Sequence, residues 1–347
     1  MTDRRSLLKL AAVLACPTPG FARTQPWTKR GLVLAPGFAG AFSAGLLSAP
    51  CVVPLENGRL RMYFWGREAA KPGAPALNYI YAAEASTADP LRWSLVRPEP
   101  LLGPSPGGNV SNLGPSFPWV LPRQDSPWLM YYCAWGSWAP PVELSNRASL
   151  AISEDQGVTW KVLRDPLLPL GKRGSFDGGL TGSVCVLRTA PDQYRMWYTA
   201  GERYEIFDGA KRGIVHIGYA ASRDGLQWAP AKKPLLSPRL DNVTPYEAVV
   251  SKPSVLRLGG TYHMWLSVFA MQGKGYRLGY ARSRDGLRWE RSLDQEILPL
   301  TPGGFDSINQ SYPNVIEAGD ELWMFYAGDR FGSTGIGLAT LKKSALA

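Results

Sequence analysis

Histidine is nearly absent. His216 and His263 are the only two in 347 residues, and neither has a cysteine or aspartate at metal-ligand spacing. Zinc chemistry is therefore not expected, and no cofactor is. A Ser-His-Asp triad has no nucleophile-elbow sequence to rest on. No glycine-rich stretch leads into a helix, so no phosphate-binding loop is present. Cysteine is scarce as well. Cys51, Cys133 and Cys185 lie in apolar strand-like runs and are odd in number, which reads as buried small hydrophobes and not as a disulfide scaffold. The chain has no long basic run, which argues against nucleic-acid binding. Its net charge of +10 is dispersed and fits an acidic glycan, an anionic envelope or solubility alone. No stretch after the first residues is long enough for a membrane span.

What is plentiful is turn and aromatic residues: Gly 37, Pro 30, Trp 13 and Tyr 15. They fall into a repeat. Gly218-Tyr219-Ala220-Ala221-Ser222-Arg223-Asp224-Gly225-Leu226-Gln227-Trp228 returns as the segment from Gly279 to Trp289. Related copies run from Leu150 to Trp160 and, degenerately, from Tyr81 to Trp93. Each reads as strand, tight turn, strand, because Asp-Gly tolerates the positive φ of a hairpin. An aromatic strand precedes each turn: Leu60 to Trp65, Trp128 to Tyr132, Tyr194 to Tyr198, Tyr262 to Leu266 and Leu322 to Tyr326. Before each of these lies a shorter apolar strand, at Cys51, Trp119, Val184, Val255 and Val315. Four strands per unit, repeated, predict an all-β fold, a five-bladed β-propeller. The fifth unit lacks its outer strand, and the segment from Trp27 to Leu34 resembles the one after Trp228. The N-terminal strand is thus expected to complete the last blade. Two separate sandwiches are the alternative.

Residues 1–22 read as a twin-arginine signal peptide, with Arg4 and Arg5 before a short apolar region. Val13-Leu14-Ala15-Cys16 also reads as a lipoprotein box, which would anchor the chain to a membrane through lipidated Cys16. Residues 23–347 would then be one periplasmic or secreted propeller domain, expected to be monomeric.

The blade repeat, with phrases such as Ser251-Lys252-Pro253-Ser254-Val255-Leu256 and Tyr194-Arg195-Met196-Trp197-Tyr198, resembles the five-bladed propeller glycoside hydrolases of families 32, 43, 68 and 130 over residues 27 to 341. Ser153 to Trp160 also matches the Asp-box hairpin of sialidases, itself a structural turn. The resemblance to the glycoside hydrolases implies carboxylates at the starts of the inner strands, often before proline. This chain departs from that: Ala49, Phe117, Lys252 and Tyr312 precede the prolines, and Gly182 stands in the unit without one.

Acids occur slightly upstream. Asp177, Glu247 and Asp306 align with one another, either as catalytic carboxylates or as pins of the inter-blade loops. Glu247 breaks the Asp pattern, which marks it as the proton-transfer candidate with Asp177 as its second carboxylate. Other acids on the same side are Glu68, Glu143, Glu202, Glu205 and Asp329. Lys252, Arg203 and Arg330 are candidates for holding a substrate carboxylate or sulfate. Trp135, Trp138 and Tyr204 are candidates for stacking on sugar rings. Tyr312 or Lys252 would be the base if the protein were a polysaccharide lyase. The leading expectation is an exported glycoside hydrolase acting on a polysaccharide or oligosaccharide; a non-catalytic glycan-binding propeller is the alternative.

Overall fold

A computed structural model describes residues 27–105, 111–124, 126–136, 146–164, 166–207, 210–240, 247–270, 275–292 and 296–346. Strand β1 (Thr28–Leu34) opens this part of the chain. The strands β2 (Leu46–Pro54), β3 (Arg59–Arg67), β4 (Asn78–Ser86) and β5 (Asp89–Leu95) form an antiparallel meander. A second meander comprises β6 (Gly114–Leu121), β7 (Trp128–Trp135), β8 (Asn146–Ser153) and β9 (Lys161–Arg164). Next come β10 (Leu180–Ala190), β11 (Gln193–Phe207), β12 (Ala210–Ser222) and the short β13 (Ala229–Pro230), then β14 (Glu247–Leu258), β15 (Thr261–Ala270), β16 (Gly275–Ser283) and β17 (Glu290–Ser292). A single parallel pairing, Val215 with Val249, joins these two meanders into an eight-stranded sheet. The last sheet has the order β1-β20-β19-β18, from β18 (Ser311–Ala318), β19 (Glu321–Ala327) and β20 (Ile336–Lys342). The strand at the start of the described chain therefore covers the edge of the strand at its end.

The first strands of the meanders meet in a cycle: β2 touches β6, β6 touches β10, β10 touches β14, β14 touches β18, and β18 returns to β2. A belt of side-chain bonds follows the same cycle. Cys51 Sγ accepts from Val120 N–H at 3.2 Å, and Trp119 Nε1 donates to the Val186 carbonyl at 3.0 Å. Cys185 Sγ accepts from Val255 N–H at 3.3 Å. Ser254 Oγ accepts from Val315 N–H at 2.9 Å, and Asn314 Oδ1 from Val52 N–H at 2.8 Å, which closes the belt. This is a propeller-type arrangement. Cys51, Cys133 and Cys185, the cysteines among the described residues, are buried and free, as their apolar surroundings suggested, and burial pushes the Cys51 thiol up to about 11.

Each Asp-Gly turn docks on the meander before it. Gly157, Gly225 and Gly286 adopt φ of 85°, 78° and 73°, and their carbonyls accept from Tyr63 Oη, Tyr131 Oη and Trp197 Nε1 at 3.0, 2.8 and 2.9 Å. The tryptophan after each turn packs edge-on against the same aromatic residue: Trp160 on Tyr63, Trp228 on Tyr131, Trp289 on Trp197. Trp27 meets Trp265, and Trp93 meets Phe325, in the same T-shaped way. Trp27 is thus the equivalent of the post-turn tryptophans. Burying one indole removes roughly 200 Å² from water, on the order of 5 kcal/mol as an upper estimate.

The inner strands share an irregularity. Ala49, Phe117, Ser183, Lys252 and Tyr312 have φ between 45° and 55°, and the strand register shifts around each of them. A left-handed conformation costs a non-glycine residue about 1–2 kcal/mol, and a bulge turns a side chain out of the pleat direction. Ser183, and not Gly182 as the sequence suggested, is therefore the equivalent position in the unit without a proline, and none of the five positions to which the resemblance assigns acids carries one. Among the described residues no helix is long and apolar enough to cross a membrane. The segment expected to be a leader, with Arg4, Arg5 and Cys16, lies outside the described residues, as do Glu143 and Trp138.

Candidate functional site

The upper ends of the second strands converge on an aromatic cluster at the mouth of the axis. Ala49, Phe117 and Tyr312, three of the bulge residues, pack there with Trp65, Cys133 and Trp135. Trp65 lies 5.0 Å from Phe117 and stacks on Trp135 at 6.1 Å, while Phe117 meets Tyr312 edge-on at 4.9 Å. Tyr312 continues outward to Phe331, stacked at 6.5 Å and 46% exposed. The bulges explain the convergence: each redirects the residue before the inner proline, so Phe117 and Tyr312 from different sheets touch.

Arg67 ends β3 at this mouth. Its guanidinium carbon lies 5.5 Å from the ring centres of both Trp65 and Trp135. It makes no hydrogen bond or ion pair with its side chain among the described residues, and Nε is buried without a partner. Burial lowers its pKa, against a smaller opposing pull from Tyr312. Arg212, exposed, lies 4.9 Å over the Phe269 ring at the same ends of the strands. Arg330 is exposed and has a left-handed backbone (φ 50°), next to Phe331 (φ 65°), in the short helical turn Asp329–Gly332.

The three acids singled out as catalytic candidates are each held by donors of the protein itself. Asp177 is buried and accepts from Ser175 Oγ at 2.8 Å and Tyr198 Oη at 3.3 Å. Asp306 is fully buried and accepts from Lys29, from Gln310 at 2.9 Å and from Tyr326 Oη at 3.0 Å. Burial alone would raise its pKa, but these donors, Lys29 first, hold it below the ordinary aspartate value. Tyr198 on β11 and Tyr326 on β19 hold matching places in the repeat, so Asp177 and Asp306 have equivalent partners. The third meander of this type has Leu266 in that place, and its acid, Glu247, takes a different partner. Glu247 is buried and receives a bidentate pair from Arg291, at 2.9 Å for both bonds, plus the Arg239 N–H at 3.1 Å.

The remaining candidates divide. Lys252 is wholly buried, so it does not reach a solvent-facing substrate as its place at a strand start suggested; the bulge turns it inward. Its Nζ lies 5.4 Å from the Trp119 ring centre, near Cys51 and Cys185, with no hydrogen-bond partner, and burial lowers its pKa. Asp329 is also buried and is spent on Ser307 Oγ and the Ile308 and Asn309 N–H groups, at 2.7 to 2.8 Å. Tyr312 is buried in the aromatic cluster and burial pushes its pKa well up, which opposes its use as a base. Glu202 and Glu205 both accept from Arg203, and Glu202 also faces His216. Glu68 accepts from Tyr79 Oη at 2.9 Å. Tyr204 and Trp135 are partly exposed.

Arg67, Trp65 and Phe331 escaped the sequence reading. The only signal for Arg67 was a cation two residues after an aromatic-strand tryptophan. A separate cavity of about 560 Å³ opens on the side of the turns, between the first two meanders, lined by Arg59, Arg61, Arg123 and Trp128. Arg61 there is committed to Glu84 at 2.6 Å. Among the described residues no group of three or more His, Cys, Asp or Glu is placed to hold a metal ion.

The fold is that of the propeller-type glycoside hydrolases. A family-130 protein described as targeting β-1,2 mannosidic linkages in Candida mannan superposes with a TM-score of 0.70 at 14% identity, covering 94% of this chain and 96% of that one. A glycosyl hydrolase from Bacteroides ovatus gives 0.69 at 15% identity, with 94% and 96% covered. A thermostable family-43 glycoside hydrolase gives 0.63 at 17%, with 90% and 91% covered. Two uncharacterised proteins of Mycobacterium tuberculosis, from strains CDC 1551 and H37Rv, are each 28% identical over 326 residues, which is 91% of this chain and 99% of their own. No family model matches the chain.

Proposed function

We propose that this chain is a carbohydrate-active, five-bladed propeller that holds an anionic saccharide at the mouth of its axis. One observation carries this: Arg67 lies over the faces of Trp65 and Trp135 and has no carboxylate partner among the described residues. The partly exposed Trp135 and the exposed Phe331 offer aromatic surface that suits the C–H faces of sugar rings, and a guanidinium without a partner suits a uronate carboxylate or a sulfate. The glycoside hydrolases that share the fold support the substrate class, and the closed belt of side-chain bonds supports the count of five blades.

Asp177, Glu247 and Asp306 fit loop pins better than catalytic acids. Each is buried and engaged by donors, whereas glycoside hydrolysis needs two carboxylates flanking one bond. Export through Arg4 and Arg5 to the periplasm or beyond belongs to the same reading. The mass of the mature N-terminus distinguishes a start at Arg23 from a lipidated Cys16.

Calorimetric titration tests the site. Uronic-acid oligosaccharides should bind more tightly than neutral ones of the same length. Arg67→Ala should weaken binding about tenfold or more, the effect of losing a charged hydrogen-bonded contact, while the protein stays folded at the temperature of the titration. Equal affinity for neutral and acidic oligosaccharides, or an unaltered Arg67→Ala variant, defeats the assignment.

A further inference from the structure

His216 lies on β12 opposite Ala200 of β11. The register slips between Gly201 and Arg203, so Glu202 is an extra residue, and bulges of this kind redirect a side chain. Glu202 Oε2 reaches His216 Nε2 at 3.2 Å. On the other side of the ring, the backbones of Leu235 and Leu236 are hydrogen-bonded to Ile217, the residue after His216. That attachment brings Ser237 Oγ to 3.0 Å from His216 Nδ1. The imidazole is buried and edge-on to Phe176, whereas Ser237 is exposed. Three segments of backbone thus place an exposed hydroxyl, an imidazole and a carboxylate in one line.

We propose that Ser237, His216 and Glu202 form an acyl-transfer site that cleaves a small carboxylic ester. Glu202 accepts a hydrogen bond from Nε2–H and so fixes the tautomer with the lone pair on Nδ1, facing the Ser237 hydroxyl. Burial, helped by Arg203, the other charge facing the ring, lowers the pKa against the opposing pull of Glu202 and keeps the imidazole neutral at pH 7. In the first step Ser237 Oγ bonds to the carbonyl carbon and its proton passes to His216 Nδ1. The carbon–oxygen bond to the alcohol portion breaks, and His216 returns the proton to the departing alkoxide. Water then attacks the acyl-serine, loses a proton to His216 and releases the carboxylic acid. The proton goes back to Ser237, so ester and water give acid and alcohol. Glu202 touches only His216 and is a positioning residue. That the ester is an O-acyl group on a glycan rests on the saccharide reading above; ester cleavage itself does not.

The test uses p-nitrophenyl acetate and a fluorophosphonate on the full chain. The wild type should hydrolyse the acetate above the buffer rate, and the fluorophosphonate should be found on the peptide bearing Ser237. Ser237→Ala, an exposed change that should not alter melting, should abolish labelling and lower the rate about 100-fold or more. His216→Asn should do the same. Glu202→Gln should lower kcat with KM unchanged and displace the rising limb of the pH profile, which a merely structural role would not do. Hydrolysis at the buffer rate, a label on another residue, or full activity in Ser237→Ala overturns the proposal. Ester cleavage without binding of acidic oligosaccharides leaves this site standing and removes the saccharide reading; the reverse pattern does the opposite.

Discussion

Lys252 is a charged residue whose conformation is set by backbone strain and whose ammonium has no hydrogen-bond partner. Burying an unpaired charge is costly, and the group responds by a lowered pKa. The folded protein therefore releases this proton at lower pH than the unfolded chain does. Between the lowered value and the ordinary lysine value the unfolded chain binds more protons, so stability rises with pH through that window. Lys252→Met should raise the melting temperature at pH 7 and remove this rise, as thermal denaturation at several pH values would show. Glu247 presents the opposite case, a buried carboxylate with a bidentate partner. Glu247→Gln leaves the partly buried Arg291 without its counter-charge and should cost about 3 kcal/mol in urea denaturation. If Glu247 is a pin, ligand affinity per folded molecule stays constant.

The Asp-Gly turns show how an element can depend on one atom. At Gly157 an added Cβ would lie 2.1 Å from Tyr63 Oη, the hydroxyl that holds the turn, whereas at Gly225 the nearest atom is 3.0 Å away, on Tyr131. Both positions are left-handed, so each alanine carries a backbone penalty of about 1 kcal/mol or more. Gly157→Ala should therefore lower stability by more than Gly225→Ala, by about 1–3 kcal/mol beyond that penalty; equal melting temperatures would contradict the docking of turn on tyrosine. These turns were legible in the sequence because they are local: Asp, Gly and Trp stand within a few residues of one another. The pins were half legible. Asp177 and Asp306 align and share a tyrosine partner, but the Glu247 partner is 44 residues away, and nothing in the neighbourhood of Glu247 announces Arg291. Lys252 was misplaced because a cation at a strand start reads as exposed unless the bulge that turns it inward is foreseen. His216 had no visible partner for a similar reason: Glu202 reaches it by a register slip and Ser237 by a loop pinned to Ile217.

At the scale of the molecule, β1 pairs with β20 and seals the last sheet. Trp27 adds an edge-on contact with Trp265 at 6.0 Å and is nearly buried. Trp27→Ala should cost roughly 3–5 kcal/mol, as truncation of a core aromatic does. Deleting residues through Leu34 should in addition leave β20 as an open edge and produce concentration-dependent association, measurable by light scattering. A truncated chain that stays monomeric and melts at the wild-type temperature would contradict this role.

The belt around the axis is chemically uneven. Four of its links are side chains that accept from a backbone N–H: two thiols, a hydroxyl and an amide oxygen. The fifth, Trp119, donates to a carbonyl instead. A ring of identical hooks would let its units trade places. In this one the second meander is marked: Trp119 is far larger than the other four side chains and reaches the carbonyl of Val186, where they take the N–H of the equivalent valine. The place of the second meander is thus fixed by the belt, while the point at which the chain is cut is not, so circular permutation should be tolerated where moving the second meander is not.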